Sequence, residues 1–172
     1  MSGLTISVAE ILGQPGSYRD LNISAPLDGV KTALARLDPQ LIDARLRAES
    51  VVEGVLVTGR AQAATKLTCA RCVTEFASPI EVEVCELFAG AGHEPAATED
   101  FYEIRGTDID IEPMLRDVVT LALPLNPHCE KDCSGLCANC GRVIGDGLCT
   151  CTEEERDPRW AGLDALKDKL SS

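Results

Sequence analysis

The 172-residue chain is 45% hydrophobic but only 3% aromatic, carries a formal net charge of −12, and holds nine cysteines against two histidines. Its length favours one domain, two at most, and its apolar runs fall far short of the roughly 20 residues a membrane-spanning helix needs. Tyr18, Phe76, Phe88, Phe101, Tyr102 and Trp160 are too scattered to form a base-stacking sheet, which argues against an RRM-like RNA platform.

Residues 8–12 read as a short helix or turn, and the GQPGS run at 13–17 as a loop. Residues 21–27 alternate as a strand, with Leu21, Ile23 and Ala25 on one face, and Val30, Leu34 and Leu37 make a short helical stripe over 29–37. A long strand is expected over 44–57, with Arg45, Arg47 and Glu49 facing water. Gly59 opens a second strand over 60–67, and Cys69-Ala70-Arg71-Cys72 then turns the chain. The clearest alternation is at 76–88, where Ile80, Val82, Val84 and Phe88 oppose Glu81, Glu83 and Cys85. Together these strands predict an antiparallel meander with the CxxC at a hairpin tip. Residues 89–106 read as a surface loop or linker. Asp110 is placed to cap a helix running to about Ala122, with Glu112 and Pro113 in its first turn and Ile111, Leu115, Val118 and Ala122 on one face. Pro124 and Pro127 end it, and a second amphipathic stripe (Trp160, Leu163, Leu166, Leu170) lies in 153–172.

This pattern predicts an α+β fold: an antiparallel β-meander core over 1–90, a linker over 91–107, a packed helix over 108–124 and a cysteine-rich, zinc-stapled module over 125–172. The start, Met1-Ser2-Gly3-Leu4-Thr5, has neither a basic stretch nor a long apolar core, so a secretory signal is not expected. The cysteines are then expected to stay reduced and to act as metal ligands or redox groups.

Eight of the nine cysteines fall into pairs: Cys69/Cys72, Cys129/Cys133, Cys137/Cys140 and Cys149/Cys151. A C-x2-C turn lets two thiolates converge on one tetrahedral Zn²⁺, and Gly141 after Cys140 supplies the flexibility of such a knuckle. In one scheme Cys137, Cys140, Cys149 and Cys151 share a metal, and Cys69, Cys72, Cys129 and Cys133 share another. In the other, Cys129, Cys133, Cys137 and Cys140 share one and the remaining pairs the second; spacing does not choose. One or two structural Zn²⁺ sites are expected, and a closed four-cysteine site leaves no position for substrate. Cys85 reads as a small packing residue. His128 abuts Cys129 as an alternative ligand, but a lone histidine beside a proline reads first as exposed, and His93 takes no role.

The charge is uneven. The first 75 residues hold eight Lys/Arg and eight Asp/Glu, so the whole −12 lies in the remainder. That favours a solvated acidic surface or a basic partner over a broad grip on phosphates. No phosphate loop, nucleophile elbow or H-E-x-x-H is present. An RNA-processing enzyme would rest on Asp108, Asp110 and Glu112, whose spacing into a helix start fits capping better. A redox or zinc-handling protein is the other rival.

Four segments carry a resemblance: Leu67-Thr68-Cys69-Ala70-Arg71-Cys72; Asp110-Ile111-Glu112-Pro113-Met114-Leu115-Arg116-Asp117; Leu121-Ala122-Leu123-Pro124-Leu125; and Cys133-Ser134-Gly135-Leu136-Cys137-Ala138-Asn139-Cys140-Gly141. In this order they resemble the YceD family, and Pro15-Gly16-Ser17 and Asp157-Pro158-Arg159-Trp160 look like its actinobacterial members. The resemblance implies a bacterial cytoplasmic protein, not an enzyme, needed for synthesis, processing or stability of large-subunit ribosomal RNA. Cys69, Cys72, Cys129, Cys133, Cys137 and Cys140 match its motifs; Cys149 and Cys151 lie in its variable tail. The partners expected are large-subunit precursor particles, rRNA or a basic ribosomal protein, with no membrane. In that setting Arg45, Arg47, Arg60, Lys66 and Arg71 are expected to face RNA.

Overall fold

In a computed structural model, residues 4–90, 101–145, 147 and 149–151 are described. Their strands are β1 (Thr5–Ser7), β2 (Tyr18–Pro26), β3 (Ala35–Leu37), β4 (Leu41–Ser50), β5 (Gly54–Thr68), β6 (Glu75–Ala89), β7 (Tyr102–Arg105) and β8 (Asp108–Asp110), followed by helix α1 (Ile111–Ala122). The strands form one sheet in the order β1-β8-β7-β6-β5-β4-β2, with β3 pairing β5 beside that path.

Binary alternation dictates the centre of this sheet. In β4 the residues alternate between exposed and buried along nearly the whole strand, so Ile42, Ala44, Leu46 and Ala48 fall on the core side. Leu21 of β2, Val55, Val57 and Ala61 of β5, and Val84 and Phe88 of β6 complete that face. A side chain such as Phe88, fully removed from water, contributes about 1.5–3 kcal/mol to folding.

Helix α1 begins where Asp110 accepts a hydrogen bond from the Glu112 N–H at 3.1 Å, satisfying one of the otherwise orphan donors of the first turn. Ile111, Met114, Leu115, Val118 and Val119 are its buried stripe, packed on β6 and β1. The Tyr102 hydroxyl donates to Asp117 at 3.0 Å, and the Tyr102 ring lies 5.3 Å from that of Phe88.

The structure corrects several of the sequence-based expectations, among them the linker over 91–107, which holds β7 at Tyr102–Arg105. The sheet is mixed, because β7 pairs in parallel with β6. The described residues are mostly strands, with the one packed helix that is expected, so the α+β expectation holds only in part. The helical stripe at 29–37 is a turn followed by β3, since nine residues are too few to sustain a helix against a paired strand edge. The expected strand at 44–57 is two strands. Val51 and Gly54 close the hairpin between them through Val51 N–H to Gly54 O at 2.9 Å, and the next expected strand is the continuation of β5 through Gly59. At Gly59 a Cβ would stand 2.1 Å from the Arg45 carbonyl oxygen, so glycine is needed for the close approach of β4. Finally, Cys85 is exposed on the outer side of β6 instead of packing inside. The stripe at Trp160, Leu163, Leu166 and Leu170 lies outside the described residues.

The chain divides into two compact units. Met1–Ala70 and Thr74–Lys131 make the first, which contains the sheet and helix; Arg71–Val73 and Asp132–Ser172 make the second. In the second unit, the Arg71 guanidinium donates to the Cys133 carbonyl oxygen at 2.9 Å, and Gly135 lies against the Arg71 backbone.

Candidate metal centres

The two CxxC pairs are presented by tight turns. Cys69 closes the β5–β6 hairpin, its N–H donating to the Thr74 carbonyl at 2.9 Å, and Ala70 N–H donates to Pro127 O at 2.8 Å, two residues before Cys129. The CxxC thus sits at a hairpin tip, as its flanking strands predict. A thioredoxin-like centre would need it at a helix N-terminus. Further along, Cys137 N–H donates to Arg142 O at 2.7 Å and Gly141 N–H to Cys137 O at 2.8 Å, folding Cys137 and Cys140 into a knuckle.

The two knuckles share a backbone requirement. The residue after the second cysteine is left-handed in both: Gly141 at φ +68° and Val73 at φ +61°. Glycine adopts that conformation without strain, whereas a β-branched residue is a genuine outlier there. Spacing points to Gly141 but gives no sign of Val73 or of the Arg71 contact. The signal that identifies Val73 is the comparison of the two CxxC turns position by position.

The eight paired cysteines come together in two groups of four. Cys69, Cys72, Cys129 and Cys133 form one, Cys137, Cys140, Cys149 and Cys151 the other, and within each group the sulfurs lie within 4.8 Å of one another. This is the first of the two sequence schemes. None of the cysteines is joined in a disulfide, and the Cys140 and Cys149 sulfurs are 3.7 Å apart. A disulfide needs about 2.05 Å. Four sulfurs at about 2.3 Å from a tetrahedral Zn²⁺ stand about 3.8 Å from each other. The spacing and the all-thiol donor set therefore fit zinc, and each group can hold one metal ion.

The electrostatics of the second group point the same way. The Cys137 thiol is brought down to about 7, first by the backbone N–H groups of Cys140 and Asn139 and then by the Cys149 thiol. Cys151 is pushed up to about 12, chiefly by its contact with Cys140 and by the water its sulfur loses to the neighbouring thiols, with the contact and charge of Cys137 adding to both. Cys149 is also raised: the Cys151 N–H lowers it, but the Cys137 and Cys140 thiols and burial outweigh that effect. One thiolate forms readily and opposes the next, so four thiolates need a cation among them.

Most of the cations expected to face RNA have acidic or carbonyl partners. Arg47 donates to both Asp20 oxygens at 2.8 and 3.2 Å and lies over the Tyr18 ring, 4.1 Å from its centroid. Arg60 reaches Glu81 at 3.3 Å and Glu83 at 3.4 Å, and Lys66 reaches Glu75 at 2.8 Å. Arg71 is engaged by the Cys133 carbonyl. Arg45 borders an open groove of about 780 Å³ with Asn22, Ser24, Asp43, Arg60 and Gln62. Of the acidic trio, Asp110 caps α1 and Glu112 pairs with Arg116 at 2.8 Å. No helix among the described residues is long and apolar enough to cross a membrane.

Residues 57–167 match the model of the family described as large ribosomal RNA subunit accumulation protein YceD. The chain belongs to the YceD family. An uncharacterized protein of Mycobacterium tuberculosis is 35% identical over 167 residues, covering 94% of this chain and 80% of the relative. One of Mycobacterium leprae is 33% identical over 177 residues, covering 95% and 77%. The chloroplastic YCED homolog 1 of Arabidopsis thaliana, named a large ribosomal RNA subunit accumulation protein, is 32% identical over 63 residues, or 37% of this chain and 20% of the homolog. No solved structure matches the chain. The YceD match spans both four-cysteine groups of this chain.

Proposed function

We propose that this YceD-family protein is a cytoplasmic, non-enzymatic factor in the accumulation of large-subunit ribosomal RNA, and that two structural zinc ions hold its binding surfaces in shape. The observation that carries the reading is the pair of four-cysteine groups within a family described by its role in that RNA. A metal held by four thiolates offers no open position to water or substrate. Its contribution is to folding, where structural zinc supplies on the order of 10 kcal/mol of apparent binding free energy. Cys69, Cys72, Cys129 and Cys133 would hold one ion and Cys137, Cys140, Cys149 and Cys151 the other.

The favoured partner is a large-subunit precursor particle, approached through a basic ribosomal protein. Arg47, Arg60 and Lys66 already face carboxylates, which reduces the charge left for phosphates, and the net −12 of the chain favours a basic surface. Exposed pairs are weak, about 0–1 kcal/mol each, so the outer face keeps a limited capacity for RNA around Arg45. The test is sedimentation of ribosomal particles from cells carrying a tagged copy, with rRNA quantified after depletion. The protein is expected in large-subunit precursor fractions, with large-subunit rRNA falling relative to small-subunit rRNA on depletion. Its absence from every such fraction, with unchanged rRNA, overturns the reading.

A further inference from the structure

The two cysteine groups differ in how far water reaches them. In the first, Cys69 is 0%, Cys72 5% and Cys133 8% exposed, and only Cys129 is half-buried. In the second, Cys140 and Cys151 are exposed and Cys137 and Cys149 half-buried. An incoming ligand must reach the metal or a coordinating sulfur before it can displace anything, so exposure sets the rate of exchange.

Their anchoring differs as well. Cys69 and Cys72 sit at the end of a hairpin paired continuously from Gly54↔Ala89 to Thr68↔Glu75. All four cysteines of the second group lie within residues 137–151. Around Cys137 the described backbone makes the local bonds Cys137 to Arg142, Gly141 to Cys137 and Ile144 to Gly135 and the bridge Leu136↔Val143, none of which joins an extended ladder. Leu136 and Ile144 are themselves exposed, so among the described residues of this segment little apolar burial opposes opening. Segments with few buried contacts open locally at a fraction of the global unfolding free energy. A short loop also recloses at small entropic cost, which makes the exchange reversible.

We propose that Cys137, Cys140, Cys149 and Cys151 form an exchangeable zinc site, while Cys69, Cys72, Cys129 and Cys133 release their metal far more slowly. This rests on the two-zinc reading above. The ligand is Zn²⁺, and the acceptor is a competing thiolate or nitrogen–oxygen chelator. Exchange breaks one zinc–sulfur bond as each zinc–acceptor bond forms. The zinc charge is unchanged, each released sulfur passes to solvent with its charge met by a proton or counterion, and no electron is transferred.

The experiment loads the full-length chain with zinc, records the native mass, and then adds a chromophoric zinc chelator together with N-ethylmaleimide. Zinc release is followed by absorbance, and alkylated cysteines are mapped by mass spectrometry. Two zinc ions are expected at the outset, one leaving about tenfold or more faster than the other, as local opening predicts. Modification of Cys137, Cys140, Cys149 and Cys151 should accompany that first ion. The variant Cys140→Ser/Cys151→Ser should bind one ion and lose the fast phase with the strand circular dichroism retained. Two ions released in one phase, or early modification of Cys69 and Cys72, overturns this proposal and leaves the two-zinc reading standing. Fewer than two ions at the outset overturns both.

Discussion

Val73 holds a left-handed backbone at φ +61° while its side chain is 61% exposed. A left-handed β-branched residue costs roughly 1–2 kcal/mol, and glycine returns part of that through the greater freedom of its unfolded chain. Val73→Gly is therefore expected to raise the stability of the zinc-loaded protein by about 0.5–1 kcal/mol, read by denaturant unfolding. A loss of stability would show that the Val73 side chain matters more than its backbone. Ser50 offers a second residue-scale test. Its hydroxyl is buried with no hydrogen-bond partner among the described residues, and such a group costs about 1–3 kcal/mol. Ser50→Ala should stabilise by about 1 kcal/mol, and a decrease would mean that the hydroxyl has a partner after all. Glu75 tests the outer face. Lys66 first, then Arg36, holds its carboxyl below the ordinary glutamate value. The folded pKa is the lower one, so the stabilisation is complete above the ordinary value and disappears as pH falls through the lowered one. In Lys66→Met the Glu75 carboxyl should titrate nearer its ordinary value by NMR; an unchanged midpoint would remove the pair.

Among the elements, those with period-two alternation are the ones legible in the sequence. β2 and β6 emerge from their apolar and polar spacing, and α1 from Asp110 and its stripe. Asp110→Ala should lower stability by about 1 kcal/mol in chemical unfolding, with α1 frayed at its start; no change would mean that the cap bond at 3.1 Å carries little weight. What the sequence conceals has physical causes. The apolar run Val51-Val52 extends a strand pattern across a hairpin turn, and Val52 is in fact exposed. Gly59 looks like a strand start but answers a close approach from β4. β7 is hidden because four residues carry too little pattern, and its parallel register depends on β6, distant in sequence. The cysteine pairs are legible from spacing alone, but their grouping is not. Turn spacing constrains neighbours, while the partner of each pair is chosen by strands and turns that spacing does not encode.

For the molecule as a whole, the charge and the cysteines belong together. Each four-thiolate zinc site adds −2, so the −12 of the sequence moves to about −16 with both filled. A protein this acidic is suited to a basic partner and repels bulk RNA at low salt. The family assignment links it to large-subunit rRNA, and each of the two groups of four cysteines can hold a metal ion. The most direct measurement is zinc stoichiometry by native mass spectrometry on the full chain purified under reducing conditions. Wild type should carry two zinc ions. Cys69→Ser/Cys72→Ser and Cys140→Ser/Cys151→Ser should each carry one. A wild-type chain carrying none or one, or a pair substitution that leaves two ions bound, would contradict the account.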